Sequence, residues 1–222
     1  MAVGIDNCTT AVTSSGSSLT WSHTCLGPVL VVTVVYDSFR PGGVTSVTYN
    51  GVVMSLMTPT AVDGGFINLE SQQYMLLNPT TGTYNVVVNM SYSAGIIGFA
   101  TSFINTSGGI YGNTINTDAE FGTGNNPNSG SYQYPALQGQ LLFATISANG
   151  SAVPTVPSGQ TILASNAIGS SYGSFLLTEV IPADGEVTYQ FSGLSGTGYI
   201  TNGFVLDYTP APLASDLLMK GV

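Results

Sequence analysis

Charge is what this sequence has least of. Of 222 residues, two are basic, Arg40 and Lys220, and eleven are acidic, so charged side chains make up 6% of the chain against about 25% in an ordinary soluble domain. The formal net charge is −9. With two cations there is no patch to neutralise phosphates, which argues against nucleic-acid binding, and anionic membrane surfaces are disfavoured for the same reason. The polar surface has to be built from Ser, Thr, Asn, Gln and Gly. Such a surface suits a protein covered by partners or one that works outside a cell.

Other absences narrow the chemistry. No apolar run approaches the roughly 20 residues that a membrane-spanning helix needs. The stretch 1–7 (Met-Ala-Val-Gly-Ile-Asp-Asn) has neither a basic n-region nor a long h-region, so no secretory leader is visible: either the chain is numbered after processing, or it is made and kept in the cytoplasm until assembly or lysis. Two cysteines, Cys8 and Cys25, are too few for a disulfide framework or a structural zinc site. They pair only if 18–25 lies beside the N-terminal segment; two buried free thiols is the other reading. A single histidine, His23, excludes a histidine-rich metal site, and on the Trp21 face of a strand it reads as a hydrogen-bonded core residue rather than a relay base. Asp118 and Glu120, with Asp63, are weak candidates for a calcium site, because no spaced run of acids supports them. Glu70 and Glu179 are the only glutamates that could face each other across a sheet, and nothing in the sequence requires it. There is no Gly-x-x-x-x-Gly-Lys loop. Neither a catalytic group nor a cofactor is expected.

What is present is strand signal. The run 29–36 is apolar and β-branched and is bounded by turn residues, so it predicts a strand buried on both faces. After Pro41-Gly42-Gly43, residues 44–57 predict a hairpin turning at Asn50-Gly51, the pair that best supplies two positive φ angles. Leu19, Trp21, His23 and Cys25 alternate with hydroxyl residues and mark a core face; 83–91 alternates likewise, and 96–104 is a central apolar strand. Residues 58–66 read as a loop. Further strands are expected at 67–77, 141–146, 161–167, 174–181, 186–191 and 199–208, separated by Gly, Pro and Asn clusters.

About a dozen strands with no helix before residue 211 predict an all-β, antiparallel sandwich or barrel of residues 18–210. A short N-terminal arm, 1–17, and a tail, 211–222, flank it. In the tail, Leu213, Leu217 and Leu218 share one side of a helical turn and form a candidate partner contact. Residues 105–130 read as one long loop, the other candidate contact. Tyr111, Tyr132 and Tyr134, with neighbouring asparagines, offer aromatic faces beside amide donors, a combination that suits sugars or a protein partner; simple packing of the loop onto the sheet is the alternative.

The order of these segments resembles a known family. Leu19-Thr20-Trp21-Ser22-His23-Thr24, the 29–36 strand, the 44–52 hairpin, Tyr74-Met75-Leu76-Leu77-Asn78-Pro79, the 81–88 strand and Asn202-Gly203-Phe204-Val205-Leu206-Asp207-Tyr208 are similar to the jelly-roll (concanavalin-like) β-sandwich domains of phage virion proteins and bacterial surface proteins. The likeness covers about residues 18–209 and carries no catalytic motif. It implies a virion structural protein, made in the host cytoplasm: a capsid decoration or cement protein that contacts the major capsid protein or other virion subunits as a homotrimer or similar oligomer. It also implies an alternative, a carbohydrate-binding or adhesive module of a phage fibre or of an extracellular cell surface.

Overall fold

The structure is a computed structural model that describes residues 2–38, 42–62, 68–106, 110–114, 130–194 and 198–207, with the side chains of 58–62, 110–114, 132 and 134 outside the description. These residues form fourteen strands and no helix, and every ladder between the strands is antiparallel.

The first sheet takes the first seven strands in order: β1 (Gly4–Cys25), β2 (Val29–Asp37), β3 (Val44–Tyr49), β4 (Val52–Val53), β5 (Ser55–Val62), β6 (Leu69–Leu77) and β7 (Gly82–Ile104). Its axis is the pair β1–β7, which runs from Gly4↔Ile104 to Cys25↔Gly82 with three register shifts, two of them beside Gly16. On its other side β7 gives its first half to β3 and its second half to β2. The pair is not straight. Trp21 pairs with Val86, and Gly98 lies twelve residues farther along β7, which is about 40 Å in an extended strand. Yet a Cβ on Gly98 would fall 2.5 Å from the Trp21 ring. The ribbon has folded over and rolled the sheet nearly shut. The two halves of β1 meet at one seam; β4 runs into β5 through Met54 at the other. Leu19, Trp21, Leu30, Val34, Tyr49 and Val88 fill the inside.

The second sheet, in the order β11 (Thr161–Ile168), β12 (Tyr172–Val180), β10 (Leu141–Asn149), β14 (Tyr199–Leu206) and β8 (Ile110–Thr114), lies on the outer face of β2 and of the second half of β7. Phe103 meets Phe143 edge-on at 5.3 Å, and Phe143 meets Phe204 at the same distance. A third layer, the hairpin-like pair β9 (Gly130–Ala136) and β13 (Gly185–Phe191), covers the far face of β10 and β12 with Tyr189 and Phe191. β2, β10, β14 and the 96–103 part of β7 therefore carry core on both faces, which is why they read as unbroken apolar runs. Each Leu, Val or Phe so buried contributes about 1.5–3 kcal/mol.

Several expectations meet this architecture directly. Asn50 and Gly51 have φ of 50° and 76°, as a two-residue hairpin turn requires. Leu19, Trp21, His23 and Cys25 are buried while Ser18, Thr20 and Ser22 are exposed. Other segments differ. From Gly4 onward the expected N-terminal arm is strand, continuous with 18–25, because Thr and Ser on its flank pair with the apolar half of β7. The strands expected at 83–91 and 96–104 are one, β7, since Met90, Ala94 and Ile96 all face the same core. Part of the expected 58–66 loop belongs to β5, and the expected 105–130 loop contains β8. Among the described residues the sheets are also segregated along the chain: no strand after β7 enters the first sheet, whereas a jelly roll alternates its strands between two sheets.

The joint between the first and second sheets is unusually polar. Thr33 pairs with Gln73 and Thr145 with Asn202, all four buried at the same joint. Gln73 Nε2 donates to Thr145 Oγ1 at 3.5 Å and Ser71 Oγ donates to Asn202 Oδ1 at 3.1 Å. Thr33 Oγ1 and Asn202 Nδ2 meet no partner among the described residues. A buried hydroxyl without a partner costs about 1–3 kcal/mol. Thr33→Val is accordingly expected to raise the thermal midpoint by a few degrees, about 2–4 °C per kcal/mol for a domain of this size. Gly98→Ala, which drives a methyl into the Trp21 ring, is expected to lower stability by about 1–3 kcal/mol. Calorimetry on the two variants checks both signs.

Candidate functional site

Two places concentrate polar side chains. The first is the seam where the halves of β1 meet. No backbone ladder joins them; side chains do. Asn7 Nδ2 donates to Thr24 O at 2.9 Å, and Asp6 Oδ2 accepts from Leu26 N at 2.7 Å and Gly27 N at 3.3 Å. Between these lies a chain of five groups joined by four hydrogen bonds. Ser102 Oγ donates to Asp6 Oδ2 at 2.7 Å, His23 Nε2 is 3.3 Å from Ser102 Oγ, His23 Nδ1 is 2.9 Å from Thr9 Oγ1, and Trp21 Nε1 donates to Thr9 Oγ1 at 3.2 Å.

The proton positions follow from what each end can do. An ionised carboxylate only accepts, so the one Ser102 proton goes to Asp6, and Ser102 Oγ is left to accept from His23 Nε2–H. The indole only donates, so Thr9 Oγ1 accepts from Trp21 and sends its own proton to His23 Nδ1. Both ends select the neutral Nε2–H imidazole. His23 is 1% exposed. Burial pushes its pKa from 6.5 down to about 4, against the pull of Asp6. Burial also works against ionisation of Asp6, but the Leu26 N–H, the Ser102 hydroxyl and the Gly27 N–H together hold its carboxyl below the ordinary value. Serine, histidine and aspartate thus meet here in the wrong order for a relay, in which the carboxylate holds the imidazole nitrogen far from the serine. Ser102 is also fully buried. The cluster is a clasp.

The second place is a groove of about 490 Å³ lined by Ser131, Thr155, Val156, Pro157, Gln190 and Ser192 with Phe191 behind them. It forms where β9 and β13 end and the 150–157 segment crosses them. Thr155 and Ser192 exchange both backbone hydrogen bonds there, at 2.7 and 2.9 Å. Gln190 Nε2 donates to Ser131 Oγ at 3.2 Å, and the Gln190 N–H is fixed by Gln160 Oε1. The lining mixes hydroxyl and amide groups with the apolar Val156, Pro157 and Phe191 and carries no charge, and the volume falls within the range of small-molecule sites. Nothing local in the sequence marks it, because Thr155 and Ser192 are brought together across the fold.

Of the residues singled out from sequence, Tyr132 and Tyr134 lie two apart on β9, opposite Tyr189 and Val187, in the strand that supplies Ser131 to the groove. Tyr111 lies on the edge strand β8, opposite Val205. The side chains of these three tyrosines lie outside the described residues, as do Asp118, Glu120, Leu213, Leu217 and Leu218. Among the described residues no group of three or more His, Cys, Asp or Glu gathers as a metal site. Cys8 and Cys25 are free thiols on opposite faces of the first sheet, Cys25 inside the roll and Cys8 toward the second sheet. The pairing considered from sequence is not formed. Burial raises both thiol pKa values. Glu70 and Glu179 are not brought together: Glu70 lies on β6 opposite Tyr36, while Glu179 shares the side of β12 that carries Phe175 and Leu177, turned away from the first sheet.

The clasp predicts an acid-labile fold. The folded state holds His23 neutral below the pH at which the unfolded chain protonates it, so stability is fully present above about pH 6.5 and is lost as pH falls toward 4. The size of the shift corresponds to roughly 3 kcal/mol at 1.36 kcal/mol per pH unit. Asp6, also lowered, adds in the same direction at still lower pH. Urea midpoints measured from pH 7.5 to 4 are expected to fall steeply in the native protein and less in His23→Gln; equal slopes would remove the clasp from the account. No known family model, curated protein sequence or solved structure matches this chain.

Proposed function

We propose that this chain is a virion structural protein, a decoration or cement protein that binds a phage capsid shell as an oligomer and stabilises it. The observation that carries the reading is the surface. Only two of the chain's 222 residues are basic, Arg40 and Lys220, against eleven acidic ones. What is exposed is hydroxyl and amide side chains with Leu26, Leu77, Val53 and Val180 among them. A surface of this kind gains by being covered through apolar and neutral hydrogen-bonding contact, not by ion pairing. The all-β architecture with three stacked cores suits a rigid lattice part, while the sequence resemblance to virion domains is not matched by a jelly-roll order of strands. In this reading the partners are the major capsid protein and further copies of the chain, as trimers or a similar ring, and the place of action is the virion.

A second reading, a sugar-binding or adhesive module at a phage fibre or cell surface, is favoured by one feature, the uncharged groove at Thr155, Gln190 and Ser192 beside the strand of Tyr132 and Tyr134. Co-sedimentation separates the two. Mixed with phage shells stripped of accessory proteins, the chain is expected to pellet with them, and to raise the temperature at which they break, with little loss in 0.5 M salt because few charges are involved. A chain that stays monomeric and in the supernatant fails this reading. Binding on a glycan array that Tyr132→Ala abolishes would move the assignment to the second.

A further inference from the structure

Among the described residues, half of the large apolar side chains that stand exposed gather at one end of the molecule. Leu26 is 65% exposed, Leu77 50%, Val180 49%, Leu137 46% and Ile104 39%. Backbone contacts tie them together. The turn holding Leu26 lies on the end of β7, where a Cβ at Gly27 would fall 2.0 Å from Phe103 O and 3.3 Å from Ile104 Cγ2. Leu77 pairs with Val29, and Asn78 N donates to Pro28 O at 2.7 Å. Asn105 Nδ2 donates to Ala2 O at 3.0 Å, Val3 N to Gly139 O at 2.9 Å and Gly139 N to Ile181 O at 2.9 Å, which brings the turn of Leu137 and the end of β12 to the same place.

The segment 208–222 departs from this end. Asp207, the last described residue before it, is held here by Thr106 Oγ1, which donates to its carbonyl, and by Gln140 Nε2, which donates to its carboxylate at 3.1 Å. The segment's sequence is apolar: Tyr208, Leu213, Leu217, Leu218 and Met219, followed by Lys220, one of two cations in the chain. Around the apolar end stand three carboxylates, Asp6, Asp184 and Asp207, so the charges are complementary. Pro210 and Pro212 restrict the backbone that leads to the leucines to extended conformations. Six residues from Asp207 to Leu213 then reach about 20 Å, at about 3.3 Å per residue. A spacer of that reach is long enough to place the leucines on a neighbouring copy.

We propose that this apolar end is the docking face for segment 208–222 of a second copy of the chain. Leu213, Leu217 and Leu218 cover Leu26, Leu77 and Ile104 of the neighbour, and Lys220 meets its carboxylates. An exchange in which each copy gives and receives the same segment closes a symmetric assembly. This rests on the oligomeric reading above and specifies its contact.

The test uses full-length protein. One tagged copy carries Leu77→Cys and a second, differently tagged, carries Leu217→Cys; they are mixed and treated with a short bismaleimide. A mixed-tag crosslink is expected well above that of a control pair, Val153→Cys with Leu217→Cys, Val153 being 60% exposed beyond the opposite end of β10. Leu217→Asp is expected to weaken self-association about tenfold or more, the loss of one buried leucine. No crosslink above control overturns the proposal. So does a crosslink that forms at high dilution within a single chain carrying both Leu77→Cys and Leu217→Cys while the mixed pair gives none, which would make the chain's own segment the occupant. Light scattering on the same samples separates the two levels: an oligomer unaffected by Leu217→Asp sinks this contact and leaves assembly standing, whereas a monomer at every concentration sinks both.

Discussion

The indole of Trp21 rests on the bare backbone of Gly98, and the first sheet is shaped by that contact. It is possible only because β1 and β7 fold over together, and it fixes where they fold. Any side chain at 98 would hold the two halves of the ribbon apart. With glycine there, the inner face of β2 finds the inner face of β3 and of the first half of β7, and the sheet encloses its own core. Its outer face stays flat enough along β2 and β7 to receive the second sheet. Three cores stacked in series follow from one close approach.

The seam that completes the roll is held by neutral hydrogen bonds and a single carboxylate, without ion pairs between acids and bases. This is consistent with the composition. With two basic residues in the whole chain, oppositely charged pairs can contribute little to the folded sheets, and cohesion comes from apolar burial and from backbone and amide hydrogen bonds. The same economy leaves the exterior weakly charged, which is what makes its exposed leucines and valines open to a neighbour. Interior and exterior chemistry are two results of one compositional choice.

Sequence made the double-faced strands legible, because 29–36, 96–104, 141–146 and 199–206 have no polar side to offer water. It made the Asn50-Gly51 turn legible for a purely local reason. The N-terminal half of β1 was not legible: Asn7, Thr9, Thr10 and Thr13 give no period of two, since one side of that strand leans on β7 and the other forms the seam. The continuity of β7 was obscured by Ser91, Ser93 and Gly95, although residues 86, 88, 90, 94 and 96 keep one face throughout. His23 was correctly placed in a core, but its partners Asp6, Thr9 and Ser102 come from segments far apart in sequence, and the groove at Thr155 and Ser192 is long-range in the same way. Local pattern reveals what a strand must hide; it says little about which strand will hide it.

The antiparallel match of Gly4 with Ile104 has a consequence for how the chain is made. β1 is made before the other strands of its sheet, and among the described residues its one ladder partner is the last of them. Until Gly82 and the residues after it have been added, at about 5–20 residues per second, β1 has no strand to pair with, and the loop to be closed between Cys25 and Gly82 spans 57 positions. Its wealth of threonine and serine fits that interval. A more apolar first strand would meet its equivalents on neighbouring nascent chains before it met β7.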